Sequence, residues 1–502
     1  MNGLELANQI AIKKIVGDIT SVEVVNLQQD SRKVTPGTAF FCVDGEYVDG
    51  HHYADKAAES GAVLFIASKD ISSKVGDIPV IYVNDVKHIM AKLANHFYDY
   101  PSSKLNMIGV TGTNGKTTVT HLIEWIYRKN NQDTGIIGTI YRKVKDQIYP
   151  TINTTPDPLI MHETLNEMVK EQVSMCACEV SSHALFQGRI WGVDFNTAVF
   201  TNLTPDHLET HKTMEEYGTV KSLLFAQLGN TLKNGKARFG VINLDDPFAE
   251  KLIYRTSAEL ITYSLVDESA HFFAKNMKFF TDKTTFDLVA NGEVFAVELP
   301  LVGDFNVANT LAAIAASFVN GIQIQDAVTA LASFEGVSGR MQGIENDLGI
   351  QAIVDYAHTP DGLEKLIGTL KKLDYKKLMI MIGHDGGNRD NSIRPALGKL
   401  SLDNADYVVF TSVNPRNEDP TKIMTEMVAD HKGENYEFVI DRKEAIYRMV
   451  ELAEAGDLIV FCGKGHESLQ HLDGVSIPFN EAEYVRQALA EKSETLKGIN
   501  HE

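Results

Sequence analysis

The sequence predicts an α/β fold of three domains: a small α/β N-terminal domain, a central domain with a mainly parallel sheet, and a C-terminal Rossmann-like, doubly wound domain. A chain of 502 residues exceeds what one hydrophobic core usually holds. In two long segments, short apolar runs alternate with helical stretches, as in parallel sheets. A glycine-rich turn also separates a strand-like run from a helical one. The predicted domains are residues 1–103, 104–336 and 337–502.

The first domain has frequent turn signals, such as Pro36-Gly37 and Asp49-Gly50, between apolar runs. Its predicted strands are 62–67 and 79–83. The polar stretch Tyr98–Lys104 contains Pro and Ser and predicts a linker to the next domain.

Buried parallel strands dominate the predicted central and C-terminal domains. The predicted central elements are strands 106–110, 175–179, 197–201 and 239–243, a helix over 115–128 and an Ala-rich helix over 311–319. The third domain begins near 336–343, with predicted strands at 352–355, 378–382, 407–411 and 458–462.

The composition is that of an ordinary globular protein, with 44% apolar residues and a formal net charge of -20. An acidic surface repels nucleic acid, so a phosphate site must be built locally from backbone N–H groups and a few basic side chains. Four scattered cysteines imply no disulfide framework. For Cys176 and Cys178, in the apolar run 173–180, we favour small hydrophobes on a buried strand over a thiol or metal site. No apolar run approaches the ~20 residues that span a bilayer, and no secretory leader is evident. We therefore expect a cytoplasmic protein without membrane insertion.

The segment Val110–Thr118 (VTGTNGKTT) predicts a phosphate-binding loop, because a strand precedes it and a helix follows. Gly112 and Gly115 let backbone N–H groups converge on phosphate oxygens at a helix N-terminus. Lys116 can reach the terminal phosphates and Thr117 can ligate Mg²⁺. Val110 occupies the first glycine position of the general pattern. The loop alone fits a kinase, an ATPase, a GTPase or a ligase.

The loop Gly112–Thr117 resembles that of the Mur ligases, which build the peptide of bacterial cell wall precursors; folylpolyglutamate synthetases share a version of it. The resemblance runs through all three domains. It implies an ATP-dependent ligase that adds a diamino acid, most simply meso-2,6-diaminopimelate, to UDP-N-acetylmuramoyl-L-alanyl-D-glutamate in peptidoglycan synthesis. Both substrates are the implied partners of a monomeric enzyme.

The resemblance assigns roles to polar residues at strand ends. Glu179, which ends a strand, suits Mg²⁺ opposite the loop. His207 resembles the ligand of a second Mg²⁺, and Lys221 matches the lysine that the family converts to a carbamate with CO₂. The implied catalytic residues are Lys116, Glu179, His207 and Lys221, and the implied metal ligands are Thr117, Glu179, His207 and Lys221. The implied ATP contacts are Gly112, Thr113, Asn114, Gly115, Lys116, Thr117, Thr118, Asn306, Asn309, Arg340 and Asp355.

Two further sets of residues carry the resemblance to the other substrates. The implied contacts with the UDP-sugar dipeptide are Ser31, Asn153, Thr154, Thr155, Ser181, Gln187 and Arg189. The implied contacts with the amino acid are Arg389, Asn414, Pro415, Arg416, Gly463 and Glu467. Arg416 suits the distal carboxylate of diaminopimelate, and Glu467 its ammonium. The family signatures carry Asp where this chain has Asn388 and Val413, so L-lysine or another amino acid stays open.

The implied chemistry is activation of a carboxylate as an acyl phosphate, followed by attack of an amine, with ATP and two Mg²⁺. His207, His211 or solvent could assist deprotonation of the amine. Three other hypotheses remain: a folylpolyglutamate-synthetase-like ligase, a degenerate nucleotide-binding regulator, and a P-loop kinase or motor ATPase.

Overall fold

The computed structural model describes residues 1–45, 48–229, 231–233, 235–280, 283–387, 389–429, 431 and 433–499, except for the side chains of 209, 498 and 499. Asn388, a predicted departure from the family pattern, therefore lies outside the described residues. The fold is mixed α/β with mainly parallel sheets, which confirms the predicted fold class.

The N-terminal sheet has the strand order β1-β5-β4-β3-β2, in which only β1 runs antiparallel to its neighbour. Buried apolar side chains pack on both of its faces, against α1 and α4 on one and α2 and α3 on the other. The elements are α1 (Gly3–Asn8), β1 (Lys14–Val16), β2 (Asn26–Gln28), β3 (Thr38–Phe41), α2 (Ala54–Glu59), β4 (Ala62–Ala67), α3 (Ser72–Val75), β5 (Val80–Tyr82) and α4 (Val86–Phe97).

The predicted linker is packed rather than extended. Residues Pro101–Lys104 form a short 3₁₀ helix, and Ser102 is buried. The Ser102 hydroxyl accepts a hydrogen bond from the Asp194 backbone N–H at 3.0 Å. The connection is therefore anchored to the central part of the chain.

The central sheet has the order β16-β15-β14-β13-β12-β11-β6-β10-β7-β8-β9. Strands β14, β13, β12, β11, β6, β10 and β7 run parallel. The elements are β6 (Asn106–Thr111), α5 (Lys116–Lys129), β7 (Thr134–Ile137), β8 (Arg142–Val144), β9 (Gln147–Tyr149), α6 (Pro158–Lys170), β10 (Met175–Glu179), α7 (Ser182–Phe186), β11 (Thr197–Phe200), α8 (Leu208–His211), α9 (Met214–Ala226), β12 (Phe239–Asn243), α10 (Ala249–Ile253), β13 (Glu259–Ser264), β14 (Phe272–Phe279), β15 (Thr284–Ala290), β16 (Glu293–Leu299), α11 (Asp304–Val319) and α12 (Ile324–Leu331).

Sequence reasoning missed the antiparallel margins of this sheet. Strands β14–β16 form an antiparallel extension, and burial alternates along β15, so they contain no continuous apolar run. Helix α11 also begins seven residues before the predicted Leu311, because its first turns carry the polar Asn306 and Asn309. Both differences arise where polar residues interrupt the apolar pattern.

The C-terminal sheet has the order β17-β18-β22-β19-β20-β21, parallel except for β17. Separate apolar cores cover its two faces, as in a doubly wound fold. The elements are β17 (Gln342–Ile344), β18 (Gln351–Asp355), α13 (Pro360–Leu370), β19 (Leu378–Ile382), α14 (Arg394–Asn404), β20 (Tyr407–Phe410), α15 (Pro420–Val428), β21 (Tyr436–Phe438), α16 (Arg442–Leu452), β22 (Leu458–Cys462), β23 (Leu469–Leu472), β24 (Val475–Pro478) and α17 (Glu481–Ile499).

Cys176 and Cys178 lie on the buried strand β10, as predicted, and Cys42 and Cys462 are buried and free as well. Burial raises the pKa of each thiol, so these side chains act as inert small hydrophobes. In the part of the chain that the structure describes, no helix is long and apolar enough to cross a membrane.

A buried ion pair fastens the last helix to the C-terminal sheet. Arg442 and Glu481 both have fully buried side chains, with Nη2–Oε1 at 2.9 Å, and Arg442 Nη2 also donates to the Cys462 carbonyl at 2.8 Å. Replacing Glu481 with Ala leaves a buried guanidinium without its carboxylate, and we expect a loss of about 3–5 kcal/mol in unfolding free energy. Urea denaturation, followed through the unfolding transition of the C-terminal part of the chain, measures this loss of unfolding free energy. Glu483→Ala, at an exposed position of the same helix, is the control, and equal stability of the two variants would contradict the prediction.

Candidate active site

The carboxyl ends of the central and C-terminal parallel strands face each other across a cleft with a cavity of about 490 Å³. Ligands bind at this edge in doubly wound α/β folds. The predicted site residues that line the cavity are Thr113, Asn114, Gly115, Lys116, Thr117, Thr118, Thr154, Glu179, His207, Asn306, Asn309, Arg340, Asp355, Arg389, Gly463 and Glu467. The predicted residues outside its lining are Ser31, Gly112, Asn153, Thr155, Ser181, Gln187, Arg189, Lys221, Asn414, Pro415 and Arg416.

The phosphate loop follows β6 and ends at the first residue of α5. A Cβ on Gly112 would lie 1.9 Å from the Thr201 hydroxyl, and one on Gly115 would lie 2.4 Å from Asn309 Oδ1, so neither position can hold a larger residue. Val110 is buried inside β6, paired in register with Glu179 and Val199. The tight turn therefore begins at Gly112, and the first glycine of the general pattern is not needed.

Two lysine amines meet at one backbone carbonyl of the loop. Lys116 Nζ donates to Gly112 O at 2.9 Å and to Thr113 O at 2.8 Å, and Lys221 Nζ donates to Gly112 O at 2.7 Å. Lys221 also lies 4.4 Å from the centre of the Tyr217 ring. Burial, and then the charge of Lys116, lower the pKa of Lys221 well below its usual value. Burial also lowers the pKa of Lys116.

Glu179 is a buried carboxylate held by two threonines. The Thr117 hydroxyl donates to Oε2 at 2.9 Å, the Thr139 hydroxyl donates to Oε2 at 2.9 Å, and the Thr139 backbone N–H donates to Oε1 at 2.8 Å. Sequence reasoning missed Thr139. Thr139 could have been identified as a site residue because it follows β7 at the same edge of the sheet as the phosphate loop.

His207 occupies the loop after β11 in a left-handed conformation, with φ of 55°. Its Nε2 lies 3.4 Å from Asp206 Oδ2, and its ring centre lies 4.7 Å from that of His183. His211 is buried, with Nε2 at 3.0 Å from the Ser182 hydroxyl. Burial makes His211 a weaker candidate than His207 for handling the substrate amine.

The predicted adenosine contacts lie on two walls of the cleft. Asn306 and Asn309 stand on the first turns of α11. On the other wall, the Arg340 guanidinium lies 4.5 Å from the centre of the Tyr356 ring. Asp355 accepts the backbone N–H groups of Met341 and Ala357, both at 2.7 Å, so it shapes the turn after β18.

The residues predicted to contact the sugar dipeptide form one network beside Glu179. Arg189 donates to the Thr155 carbonyl at 3.0 Å and to Gln187 Oε1 at 2.7 and 3.0 Å. The Thr155 hydroxyl accepts the Ser181 backbone N–H at 3.1 Å. Asn153 is exposed near this network, whereas Ser31 starts a short 3₁₀ helix in the N-terminal part.

A direct contact joins the central and C-terminal parts at the phosphate loop. Asp361 Oδ2, at the start of α13, accepts from Asn114 Nδ2 at 2.7 Å, from the Thr204 hydroxyl at 3.0 Å and from Lys365 Nζ at 3.0 Å. Asp361 was absent from the predicted site. Its contacts with Asn114 and Thr204 span 247 and 157 residues of sequence, so no local pattern could have indicated these two contacts.

The predicted amino-acid residues gather at the carboxyl ends of β19, β20 and β22. Asn414 Nδ2 lies 3.0 Å from both Asp385 Oδ1 and Glu467 Oε2. Arg416 donates to the Gly386 carbonyl at 3.0 Å, and its Nη2 lies 3.3 Å from Asp385 Oδ2. Arg389 lies near the same carboxylate, with Nε at 3.7 Å. Pro415 accepts the Glu418 backbone N–H through its carbonyl and shapes the turn.

Val413 is buried against two glycines of this region. A Cβ on Gly383 would lie 3.1 Å from Val413 Cγ2, and one on Gly463 would lie 3.3 Å from it. The side chain therefore fills the narrow space between the ends of neighbouring strands, where it offers no polar contact.

Comparisons with known proteins match each part of the chain. The matching family models are the Mur ligase family, catalytic domain, over residues 23–98, the Mur ligase middle domain over 110–317, and the Mur ligase, glutamate ligase domain, over 339–465. The UDP-N-acetylmuramoyl-L-alanyl-D-glutamate--2,6-diaminopimelate ligase of Listeria monocytogenes is 44% identical over 484 residues, covering 96% of this chain and 98% of the relative.

The chain belongs to the Mur ligase family. A ligase of the same name from Lactiplantibacillus plantarum is also 44% identical to this Mur ligase, covering 98% of the chain and 99% of the relative. Mur ligases are ATP-dependent amide ligases of peptidoglycan synthesis, which confirms the enzyme class that the family resemblance implied.

Several solved structures are similar in fold to this Mur ligase. A UDP-N-acetylmuramoyl-L-alanyl-D-glutamate--2,6-diaminopimelate ligase has a TM-score of 0.68 and 33% identity, covering 98% of this chain and 99% of that one. MurF ligase from Thermotoga maritima in complex with ADP has a TM-score of 0.68 at 19% identity, covering 94% and 98%. Folylpolyglutamate synthase from Mycobacterium tuberculosis has a TM-score of 0.61 at 15% identity, covering 80% and 94%. The last two likenesses concern the fold alone.

Proposed function

We propose that this Mur ligase adds meso-2,6-diaminopimelate to UDP-N-acetylmuramoyl-L-alanyl-D-glutamate and converts ATP to ADP and phosphate in the process. The observation that carries the proposal is one cleft with two chemically different walls. One wall has the phosphate loop, Lys116 and Glu179, and the other has Glu467 and Asp385, whose carboxylate contacts Arg416 just outside the cavity lining. The names of the Listeria and Lactiplantibacillus relatives support this pair of substrates. We expect a monomer in the cytoplasm, where ATP is available.

The residues of the first wall suit activation of a carboxylate. The D-glutamate carboxylate attacks the γ-phosphorus of ATP in line, which forms the acyl phosphate and releases ADP. Lys116 lies on the loop that cradles the phosphates and neutralises the negative charge that develops on the γ-phosphoryl oxygens. The α-amine of diaminopimelate then attacks the acyl carbon, and phosphate leaves. Closure of the cleft, which the Asp361 contact supports, excludes water from the acyl phosphate.

The oxygen donors near the loop fit Mg²⁺. Thr117 and Glu179 place a hydroxyl and a carboxylate 2.9 Å apart beside the phosphate site, and Mg²⁺ prefers such hard oxygen ligands completed by phosphate and water. Among the residues that the structure describes, no group of three or more His, Cys, Asp or Glu side chains could hold a metal by itself. Bound Mg²⁺ would supply charge neutralisation at the phosphates. We propose Thr117 and Glu179 for one ion and His207, with a carbamate on Lys221, for a second.

The alternative ligase reaction would follow the folylpolyglutamate synthetases. The N-terminal sheet and the family match over residues 23–98 favour a uridine-nucleotide substrate instead. Phosphate release from ATP separates the possibilities when UDP-N-acetylmuramoyl-dipeptide is tested with diaminopimelate, L-lysine and a folate acceptor. We expect release only when the UDP-linked dipeptide and diaminopimelate are both present. Absence of stimulation by every combination would contradict the ligase activity.

The Arg416→Ala variant tests whether Arg416 binds the distal carboxylate of diaminopimelate. Loss of a charge-assisted, bidentate partner for the distal carboxylate should raise the KM for diaminopimelate about 10- to 100-fold. The KM for ATP should stay within about twofold, because the phosphate loop is on the opposite wall. Initial rates of phosphate release give both constants. Arg486→Ala, at an exposed position of α17, is the control. Equal KM values for diaminopimelate in Arg416→Ala and the wild type would rule out this role for Arg416.

A further inference from the structure

Asp385 lies on the wall of the cleft that we propose binds the amino acid, and its carboxylate is not part of the sequence motifs. It follows β19 by three residues, lines the cleft and has a side chain that is 21% exposed. Its Oδ1 accepts from Asn414 Nδ2 at 3.0 Å, and its Oδ2 lies 3.3 Å from Arg416 Nη2. A carboxylate has about four acceptor positions, so Asp385 retains acceptor capacity toward the cleft.

Glu467, the residue first expected to bind the distal ammonium, already has an internal ammonium partner. Lys464, whose side chain is fully buried, donates to Glu467 Oε2 at 3.0 Å and to the Leu469 carbonyl at 2.5 Å. Burial alone would raise the pKa of Glu467, but Lys464 and Asn414 hold it below its usual value. The negative charge of Glu467 is therefore largely balanced inside the protein.

The partners of Asp385 are less enclosed than Lys464. The side chains of Arg416 and Arg389 are 33% and 50% exposed, and their contacts with Asp385, at 3.3 and 3.7 Å, are longer than the Lys464–Glu467 contact. Each guanidinium also has further N–H groups, which can bind a substrate carboxylate. An ammonium and a carboxylate entering together would therefore find Asp385 beside the two arginines.

We propose that Asp385 determines specificity by accepting the distal ammonium of the diamino acid, in place of the aspartate that the family signature has at the position of Val413. Val413 is packed between Gly383 and Gly463 and offers no hydrogen-bond acceptor. Asp385, which follows the neighbouring strand β19, accepts a hydrogen bond from the Asn414 side-chain amide. The inference rests on the proposed function, because it concerns the amino acid that this Mur ligase adds. In this proposal, Arg416 binds the distal carboxylate of the amino acid, and Asp385 binds its distal ammonium.

Asp385→Asn is the test, because the amide keeps the size of the side chain and removes its charge. Two amino acids are compared at saturating ATP and UDP-linked dipeptide: meso-diaminopimelate, and L-2-aminopimelate, which has both carboxylates and lacks the distal ammonium. We expect the variant to lose about 10- to 100-fold in kcat/KM for diaminopimelate and less than about threefold for aminopimelate. Asp403→Asn, in the exposed Lys399–Asp403 pair of the same domain, is the control, and melting temperatures are measured for both variants.

Each outcome has a distinct meaning. A selective loss with diaminopimelate supports the proposal. An equal loss with both amino acids shows that Asp385 only positions Arg416, and no loss shows that it has neither job; either result overturns the proposal. A wild-type enzyme that forms no product with diaminopimelate overturns the proposed function as well, whereas an active wild type whose variant keeps its preference overturns this inference alone.

Discussion

Lys116→Met is expected to lower kcat about 10²- to 10³-fold, because it removes a cation from the phosphate loop while leaving a side chain of similar length. The ammonium lies at the Gly112 and Thr113 carbonyls, at the point where the loop meets α5. Its charge matters most in the transition state, when negative charge develops on the γ-phosphoryl oxygens. Single-turnover phosphoryl transfer to the substrate carboxylate, followed as ADP formation, measures the effect on this chemical step.

The matched control for Lys116→Met is Lys129→Met, because Lys129 is an exposed lysine at the other end of α5. Activity within about twofold of wild type is expected there, as for most surface substitutions. A Lys116→Met enzyme that retained most of its kcat would show that this amine serves the fold rather than phosphoryl transfer.

Lys221→Ala is expected to lower kcat roughly 10²-fold, because it removes the residue proposed to carry an anionic carbamate toward the metal site. CO₂ reacts only with a neutral amine. Burial and the charge of Lys116 lower the pKa of Lys221, so the neutral fraction grows as the pH rises through that lowered value. Acidification and removal of bicarbonate should therefore both reduce wild-type activity.

Carbon-13 NMR of the wild-type enzyme in labelled bicarbonate tests the modification directly, through a carbamate signal that is absent from Lys221→Ala. Acetate should restore part of the activity of Lys221→Ala, because it supplies a carboxylate in the vacated space. Lys275→Ala, at an exposed position of β14, is the control. A Lys221→Arg enzyme with near wild-type activity would contradict the carbamate, since arginine keeps the charge and cannot bind CO₂ in this way.

Local sequence patterns predicted the central and C-terminal strands well, because those strands are buried on both faces. The strands Met175–Glu179, Phe239–Asn243, Leu378–Ile382 and Leu458–Cys462 have the predicted bounds. The antiparallel strands β14–β16 escaped prediction because one face of an edge extension meets water and the apolar run is broken.

The sequence predicted the phosphate loop in more detail than it predicted the contacts between the other site residues. The phosphate loop is contiguous in sequence, so its residue types and their spacing indicate its chemistry. Lys464 is close to Glu467 in sequence, but other partners are distant: Thr139 lies 40 residues before Glu179, and Asn414 lies 53 residues before Glu467. Spacing cannot indicate such pairs, because strand order brings them together.

The α/β class, the position of the phosphate loop and the polar residues at the strand ends all follow from the amino-acid sequence alone. How their charges are shared depends on contacts between distant segments: Lys116 and Lys221 meet at the Gly112 carbonyl, and Asp385 lies beside Asn414 and Arg416 with capacity left toward the cleft. The physical reason is that electrostatic interactions depend on distance and burial. Parallel strands far apart in the sequence place their carboxyl ends at one edge, and the order of those strands fixes which charges become neighbours.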